Sequence, residues 1–329
     1  MELQKTASKP ESILRTEGLS VSYIVEKKRI KAVKNVDIQL YSGEALGIVG
    51  ESGSGKSTMV MAIMGLLEQK KTEIQGSVFF HHEDLINISE ESIRQFRWKN
   101  ISMVFQKSMN ALSPIHKIGR QLVDVYKVHG SGESQVYIKN RILDLFSMCN
   151  LPERVFQCYP YELSGGMMQR VGIAMSLIHY PEIVILDEAT TALDVVTEHQ
   201  IMKELKSIRR KLNVTPIFIT HDLSIVNNNC EKVAVMYGGH LVEYGCTEDV
   251  ISNPLHPYTL QLINAYPELG AQRGTLKGIP GAMPDFSKDH KGCIFAERCN
   301  CAEKVCFLEE PKYIQYKEER MVACHRCRG

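Results

Sequence analysis

The chain has 329 residues, 44% of them hydrophobic and 23% charged, a balance typical of a globular protein of about two domains. Lys and Arg number 39 against 38 for Asp and Glu, so the chain lacks the basic excess of a non-specific nucleic-acid binder, and we expect no nucleic-acid partner. The longest apolar run, Met59–Leu67, is about half the length of a membrane-spanning helix. The first residues lack the apolar stretch of a secretory signal, which predicts that the protein stays in the compartment where it is made.

The first part of the chain predicts two strands followed by a phosphate-binding loop. Between Leu14 and Leu40 polar and apolar residues alternate, which is the pattern of half-buried antiparallel strands. A short apolar strand, Ala45–Val49, then runs into a glycine-rich segment and a helical stretch. The segment reads G-x-x-x-x-G-K-S and consists of Gly50, Glu51, Ser52, Gly53, Ser54, Gly55, Lys56 and Ser57. A strand before this motif and a helix after it form the context in which the motif binds nucleotide phosphates.

The residue types of this loop suit ATP and Mg²⁺. Glycines let consecutive backbone N–H groups surround phosphate oxygens, and the helix that follows adds its partial positive charge. We expect Lys56 to reach the β- and γ-phosphates and the Ser57 hydroxyl to bind Mg²⁺, with Thr58 completing the ATP-binding segment. A chance glycine turn is the weaker interpretation.

The middle of the chain, from about residue 90 to residue 180, predicts a helical insert. Its helical periodicity is interrupted by Pro and Gly residues that end one helix before the next begins. Near its end the residues Leu163, Ser164, Gly165, Gly166 and Met167 precede an apolar helix. A capping serine beside bare glycine amides predicts a second anion site, although a plain helix cap would explain the same residues.

Two continuous apolar runs, EIVILDE and TPIFITHD, follow the insert and predict strands buried on both faces of a parallel sheet. The first run delivers Asp187 and Glu188 to the carboxyl end of its strand, where ligands of open α/β sheets bind. We expect Asp187 to hold Mg²⁺ through water and Glu188 to polarise the water that attacks the γ-phosphate. A solvated strand end is the alternative. The segment VAVMYGGHLVEYG predicts a closing hairpin.

The C-terminal part of the chain is rich in cysteine. Beyond about Gly270 the Gly, Pro and Cys content rises and the periodicity is lost, which predicts a separate small module. Six of the ten cysteines lie there: Cys293, Cys299, Cys301, Cys306, Cys324 and Cys327. In a reducing compartment such a cluster indicates a metal site before it indicates disulfides.

The order of these motifs resembles the ABC-transporter ATPases, because LSGG lies between the phosphate loop and the Asp-Glu strand. The resemblance implies an α/β fold: a P-loop NTPase of the ABC type, with an antiparallel β subdomain and the helical insert, over residues 12–270. A small cysteine-rich module over residues 271–329 follows it. The resemblance also implies that Ser164, Gly165 and Gly166 of one subunit close over ATP on the phosphate loop of another, so that the catalytic unit is a dimer.

Four further positions gain a role through this resemblance. Tyr23 resembles the aromatic residue that stacks on adenine, and Gln106 resembles the glutamine that contacts Mg²⁺ and relays motion to the membrane subunit. Asp194, in the segment TALD, resembles the loop that crosses the dimer interface. His221 resembles the histidine that contacts the γ-phosphate and stabilises the transition state. As isolated residues, Tyr23 and His221 would also be explained by purely structural roles.

The segments GESGSGKS, LSGGM, HPYTLQL and GCIFAERC narrow the resemblance to the D-type ATPase of dipeptide and oligopeptide importers. That family works at the cytoplasmic face of the cell membrane as a peripheral protein. The implied partners are a homologous F-type ATPase subunit, two membrane permease subunits and an extracytoplasmic substrate-binding protein. A nickel, metal-opine or glutathione importer is the alternative, and a soluble non-transport ABC ATPase is a more distant one.

Three departures from the family pattern stand out. Met168 occupies a position where Arg is usual, and Ala189 one where Pro is common. The third departure is the segment KSMNALSPIHKIG, which replaces a sequence close to DPMTSLNPV-x-x-IG just after Gln106. The two single changes look tolerable. In that family a membrane subunit docks at the position of the third change, so this change leaves the identity of the docking partner and of the substrate undetermined.

The spacing C-x5-C-x6-C-x17-C of four tail cysteines resembles D-type ATPases, some of which carry a [4Fe–4S] cluster. The four residues are Cys293, Cys299, Cys306 and Cys324. Four thiolates are what such a cluster requires. A zinc site uses the same residues, and the C-x2-C pair of Cys324 and Cys327 favours zinc. Disulfides or free thiols are the further alternatives, and Cys301 and Cys327 lie outside the family pattern.

Overall fold

A computed structural model of the chain describes residues 12–26, 28–105, 112–190, 193–265, 278–284, 290–317 and 319–327. The strands are β1 (Ser12–Val25), β2 (Lys28–Tyr41), β3 (Leu46–Val49), β4 (Thr72–Phe80), β5 (Glu83–Asp84), β6 (Ile101–Val104), β7 (Ile183–Asp187), β8 (Thr215–Thr220), β9 (Lys232–Tyr237), β10 (His240–Cys246), β11 (Ile314–Lys317) and β12 (Arg320–Val322). The helices are α1 (Lys56–Ile63), α2 (Glu90–Lys99), α3 (Ile118–His129), α4 (Gln135–Met148), α5 (Gly165–Ser176), α6 (Val195–Leu212), α7 (Leu223–Asn229), α8 (Thr247–Ser252), α9 (Pro257–Ala265) and α10 (Lys304–Leu308).

The strands form two sheets. A four-stranded antiparallel sheet has the order β2-β1-β4-β5, and an eight-stranded sheet has the order β11-β12-β10-β9-β3-β8-β7-β6. In the large sheet the strands from β9 to β6 run parallel, whereas β10, β12 and β11 each run antiparallel to their neighbour. The predicted α/β core, the antiparallel β sheet and the hairpin of β9 and β10 are thereby confirmed.

The large sheet is buried on both faces, which explains why its strands read as continuous apolar runs. In β7, Ile183 and Ile185 face the cluster shared with the antiparallel sheet. Val184 and Leu186 point the opposite way, into a second cluster built with the helices α3 to α6. Because successive residues of a strand alternate between faces, four consecutive residues contribute to two cores.

The predicted helical insert contains a strand as well as helices. Within about residues 90–180, β6 lies between α2 and α3 and forms the edge of the large sheet, where Ile101 is opposite Ile183. The four residues of β6 are all buried. A fully buried strand of this length shows no alternation, so the sequence pattern does not separate it from the helices around it.

The described tail residues pack onto the rest of the chain. β12 pairs with β10, with Val322 opposite Glu243, and β11 pairs with β12. Arg320 in β12 forms an ion pair of 2.7 Å with the fully buried Glu243. The predicted boundary near Gly270 falls outside the described residues and stays a prediction. None of the described helices is both long and apolar enough to cross a membrane.

Candidate functional site

The glycine-rich loop joins β3 to α1 and needs its glycines for steric reasons. Gly50, Gly53 and Gly55 have φ values of 150°, 80° and 100°. A Cβ atom on Gly55 would lie 2.4 Å from the carbonyl oxygen of Ala32, and one on Gly50 would lie 2.1 Å from that of Met236. Glycine is therefore required where the loop approaches the neighbouring strands.

Lys56 is the first residue of α1 and is held by the loop itself. Its ammonium group donates hydrogen bonds of 2.8 Å to the carbonyl oxygens of Gly50 and Glu51. Burial lowers the pKa of Lys56, while the charges of the carboxylates of Glu188, Asp187 and Glu51 act in the opposite direction. The lysine thus lies within electrostatic range of the predicted base, Glu188, and of the predicted Mg²⁺ ligand, Asp187.

Ser57 and Asp187 lie side by side at the carboxyl end of β7. The hydroxyl of Ser57 donates to Oδ2 of Asp187 over 3.3 Å. Burial raises the pKa of Asp187, and the hydrogen bond from Ser57 lowers it in part. A hydroxyl beside a carboxylate is a set of oxygen donors that Mg²⁺ accepts. The third predicted Mg²⁺ ligand, Gln106, lies outside the described residues.

Glu188 and His221 follow two neighbouring parallel strands, β7 and β8. The Nδ1 atom of His221 lies 3.4 Å from Oε1 of Glu188, and the two side chains are 49% and 21% exposed. Glu188 has a positive φ of 47°, which is uncommon for a residue other than glycine, and its N–H donates to the carbonyl oxygen of Ile219. The strand register therefore places a carboxylate and an imidazole together in reach of solvent.

These groups line one cavity of about 460 Å³. Its lining residues are Ile30, Ala32, Ser52, Gly53, Ser54, Gly55, Lys56, Ser57, Thr58, Asp187, Glu188 and His221. The structure thus brings together the predicted loop, the Asp-Glu pair and the histidine. Ile30 and Ala32 of β2 were not predicted. Tyr23 does not line this cavity; its hydroxyl lies 3.3 Å from the hydroxyl of Thr58.

The LSGG segment lies away from this cavity, beside the predicted dimer loop. The exposed Ser164 caps α5 by accepting a hydrogen bond of 3.3 Å from the N–H of Met167. Asp194 caps α6 through Thr197, and hydrogen bonds from Thr197 lower the pKa of Asp194. A Cβ atom on Gly166 would lie 2.7 Å from the methyl group of Thr197, so the two caps are neighbours.

The departures from the family pattern fit the structure to different degrees. Met168 and Ala189 are partly buried and pack against the core cluster on the helical side of the large sheet. Both changes are thus accommodated by packing. Of the segment that follows Gln106, the structure describes the part from Leu112 onwards, where Ile115 is 76% exposed.

Two contacts hold the phosphate loop from outside and were not predicted. The N–H of Glu51 donates to the hydroxyl of Tyr258, and the carboxylate of Glu51 pairs with Arg298. Both partners belong to segments that the sequence had singled out, HPYTLQL and GCIFAERC. The sequence therefore showed the two motifs but not their contact with Glu51, because Arg298 is 247 residues away from Glu51 along the chain.

The cysteines of the tail lie within range of one another's charge. The pKa of Cys293 is raised to about 11, mainly by burial and in smaller part by the charges of Cys306, Cys324 and Cys299, against a backbone hydrogen bond that lowers it. The N–H of Cys293 donates to the carbonyl oxygen of Cys306 over 2.7 Å. Across the described parts of the chain, however, no three or more His, Cys, Asp or Glu side chains are grouped so that they could hold a metal ion.

Comparison with known proteins identifies the family. The ABC transporter family matches residues 33–191, and the family described as oligopeptide/dipeptide transporter, C-terminal region, matches residues 242–306. The dipeptide transport ATP-binding protein DppD of Caldanaerobacter subterraneus subsp. tengcongensis is 40% identical over 314 residues, which cover 95% of this chain and 96% of that protein. The chain belongs to the ABC transporter family. The oligopeptide transport ATP-binding protein OppD of Escherichia coli is 39% identical over 334 residues, covering 99% of this chain and 98% of that protein.

Solved structures of ABC cassettes share the fold. The dimeric structure of MJ0796, described as a bacterial ABC transporter cassette, has a TM-score of 0.63 and 28% sequence identity, and covers 71% of this chain and 98% of its own. A second MJ0796 structure, described as a post-hydrolysis dimer bound to ADP and Pi, has the same TM-score and coverage. The predicted ABC cassette and its ATPase chemistry are thereby confirmed. The roles of the individual site residues stay predictions.

Proposed function

We propose that this chain is the ATP-hydrolysing subunit that energises an ABC importer of dipeptides or oligopeptides. The observation that carries the proposal is similarity over nearly the whole chain to proteins named for dipeptide and oligopeptide transport. The similarity includes the region after the cassette, where the oligopeptide/dipeptide transporter family matches. A nickel, metal-opine or glutathione importer would use the same nucleotide site, so an experiment on the transported cargo distinguishes these importers.

In the proposed reaction the loop binds the phosphates of ATP. The N–H groups of the loop and the ammonium group of Lys56 contact phosphate oxygens. Ser57 and Asp187, which are hydrogen-bonded to each other, are the described residues that would hold Mg²⁺. Bound Mg²⁺ offsets negative charge on the phosphates. The carboxylate of Glu188 orients the water that attacks the γ-phosphate, and His221, 3.4 Å away, contacts that phosphate.

A second subunit completes the site. The amides of the LSGG segment lie outside the cavity of their own chain, beside the Asp194 cap, and Ser164 is exposed. An anion-binding helix start that does not face its own nucleotide suits one that faces a partner's nucleotide. The proposed partner is a homologous F-type ATPase. Two permease subunits and a substrate-binding protein complete the importer, with this chain bound peripherally at the cytoplasmic face of the membrane.

We further propose that the tail holds a [4Fe–4S] cluster. Its ligands would be Cys293, Cys299, Cys306 and Cys324. The support is their mutual proximity, since Cys293 lies within electrostatic range of the other three thiols. In such a cluster each thiolate binds a different iron, so its ligands need not converge on one point as the ligands of a single zinc ion must. The lack of a single-ion site among the described residues is therefore compatible with a cluster.

Reconstitution of the transporter tests the cargo. The chain would be purified with its homologous ATPase, its permeases and the neighbouring binding protein, and incorporated into liposomes that enclose ATP and Mg²⁺. We expect dipeptides or pentapeptides to raise the rate of ATP hydrolysis and to accumulate inside the liposomes, on the side that contains ATP. Stimulation by Ni²⁺, a metal-opine or glutathione, but by no peptide, would overturn the peptide assignment. Co-purification with ribosomes or DNA instead of permeases would overturn the transporter assignment.

A further inference from the structure

The tail reaches back to the phosphate loop through one ion pair. The guanidinium group of Arg298 holds both carboxylate oxygens of Glu51, with Nη1 2.6 Å from Oε2 and Nη2 3.0 Å from Oε1. Arg298 ends a short 3-10 turn, Ala296–Arg298, whereas Glu51 is the second residue of the loop. Two parallel N–H···O bonds to one carboxylate fix orientation as well as distance.

The position of Arg298 is determined by further contacts. Its side chain is only 6% exposed. Nε donates to the carbonyl oxygen of Pro280 over 2.7 Å, Nη2 donates to that of Ile279, and Nη1 donates to the hydroxyl of Tyr237. A rigid guanidinium group with this many acceptors has little freedom to move, so the tail presents a fixed positive charge to the loop.

The backbone of Glu51 is held from the same side. Its N–H donates to the hydroxyl of Tyr258 over 2.9 Å. Tyr258 is fully buried, and its ring lies 4.6 Å from that of Tyr237 and 5.3 Å from that of Phe295, measured between centroids. The main chain and the side chain of Glu51 are thus both held by residues that come after β8 in the chain.

The charge of Glu51 makes this contact relevant to nucleotide binding. Its carboxylate lies in electrostatic range of the Lys56 ammonium group, which also donates to the Glu51 carbonyl oxygen. A carboxylate without a counterion at this position would attract the ammonium group of Lys56. It would also repel a triphosphate, because like charges close together repel strongly in a partly buried site. The pair with Arg298 neutralises the carboxylate, and Glu51 is not among the residues that line the cavity of the phosphate loop.

We propose that Arg298 is a positioning residue of the nucleotide site, which holds and neutralises Glu51 so that Lys56 and the loop amides remain available to the phosphates. The tail thereby sets the affinity of the cassette for nucleotide. Arg298 contacts Glu51 and acts through it. This role of Arg298 affects nucleotide binding alone and does not depend on which cargo the transporter carries.

The test compares nucleotide affinity in full-length variants, measured with a fluorescent ATP analogue and Mg²⁺. Arg298→Gln is expected to raise the dissociation constant roughly tenfold, the size of a typical coupling between sites. Arg298→Lys keeps the positive charge but loses the two parallel hydrogen bonds to Glu51, so an intermediate rise of the dissociation constant is expected. The matched control is Arg320→Gln, which breaks another buried ion pair between tail and cassette, with Glu243. It should lower the melting temperature without changing nucleotide affinity.

A double variant separates positioning from mere structural support. Glu51→Gln combined with Arg298→Gln removes the carboxylate that Arg298 neutralises, so most of the affinity lost in Arg298→Gln should return. A wild-type affinity in Arg298→Gln, an equal loss in Arg320→Gln, or no recovery in the double variant would each overturn the proposal. If Arg298→Gln does not fold, the comparison of Arg298→Lys with Arg320→Lys decides in the same way.

Discussion

Asp187 and Glu188 are adjacent in the chain but lie in different environments. Asp187 is the last residue of β7 and is buried beside Ser57, and burial raises its pKa. Glu188 has left the strand with a positive φ, and its side chain is 21% exposed next to His221. The buried carboxylate with a hydroxyl neighbour suits metal binding, and the more open one suits contact with the attacking water.

Glu188→Gln should therefore retain nucleotide binding and lose turnover. The amide preserves the shape of the side chain but cannot accept the proton of the attacking water, and such a base contributes roughly 10²–10⁴-fold to the rate. The measurement is the rate of phosphate release from the assembled transporter, together with nucleotide affinity.

Lys56→Ala is the contrasting variant, because it removes a phosphate ligand and should weaken binding itself. An undiminished hydrolysis rate in Glu188→Gln, in a transporter whose second site is known to be inactive, would show that Glu188 is not the base.

At the scale of elements, a variant at the start of α5 tests whether the LSGG segment of one subunit acts on ATP bound by the other subunit, which is here called the trans arrangement. Ser164→Arg should abolish hydrolysis at the site whose ATP is bound by the partner, because a long side chain blocks the approach of the α5 amides to the γ-phosphate. Binding to the phosphate loop of the same chain should survive. Single-turnover hydrolysis and nucleotide binding in the heterodimer measure the two effects separately.

Ser134→Arg is the matched control for this variant. Ser134 caps α4 in the same way, accepting a hydrogen bond from the N–H of Tyr137 over 3.2 Å, but it lies outside the predicted interface. Both variants lose an N-cap, which costs about 1 kcal/mol of stability. Loss of binding at the loop that contains Lys56, in Ser164→Arg alone, would contradict the trans arrangement.

The contact of β3 with α7 leaves no room for a side chain at Gly47. A Cβ atom there would lie 2.5 Å from Cγ1 of Val226, which is fully buried in α7. Gly47→Ala should therefore lower the free energy of unfolding by about 1–3 kcal/mol, as overpacking of a core does. Gly278→Ala, where a Cβ atom would meet nothing within 4 Å, is the control for urea denaturation. Equal stability of both variants would show that the helix shifts without cost.

At the scale of the whole molecule, the tail is predicted to carry iron and sulfide when the full-length protein is purified without oxygen. A cluster would supply part of the folding free energy of a segment with few apolar residues. Iron, sulfide and zinc analysis with visible absorbance makes the measurement. Cys306→Ser should lose the iron, whereas Cys158→Ser, outside the tail, should retain it. Stoichiometric zinc without iron would show that the tail holds a zinc site and not a cluster. A folded tail without metal would exclude both kinds of site.

Local patterns were sufficient for the central strands and for the nucleotide loop. The apolar runs around Ile183–Asp187 and Thr215–Thr220 become buried parallel strands because no polar residue interrupts them. The loop follows from its glycines, since only they satisfy its positive φ values. In contrast, β6 is too short to show a period, and it was assigned to the helical insert.

The sequence by itself determined the chemistry of this protein: a phosphate loop, a pair of carboxylates at a strand end and a capped glycine helix start, each defined by residues close together in the chain. Only the tertiary structure decided how distant segments meet. It placed Ile30 against the loop, paired Arg298 with Glu51, and joined β12 to β10 in the large sheet. The physical reason is that periodicity and turn chemistry act over a few residues, whereas these contacts depend on which strand edges and buried charges remain to be matched once the core has packed.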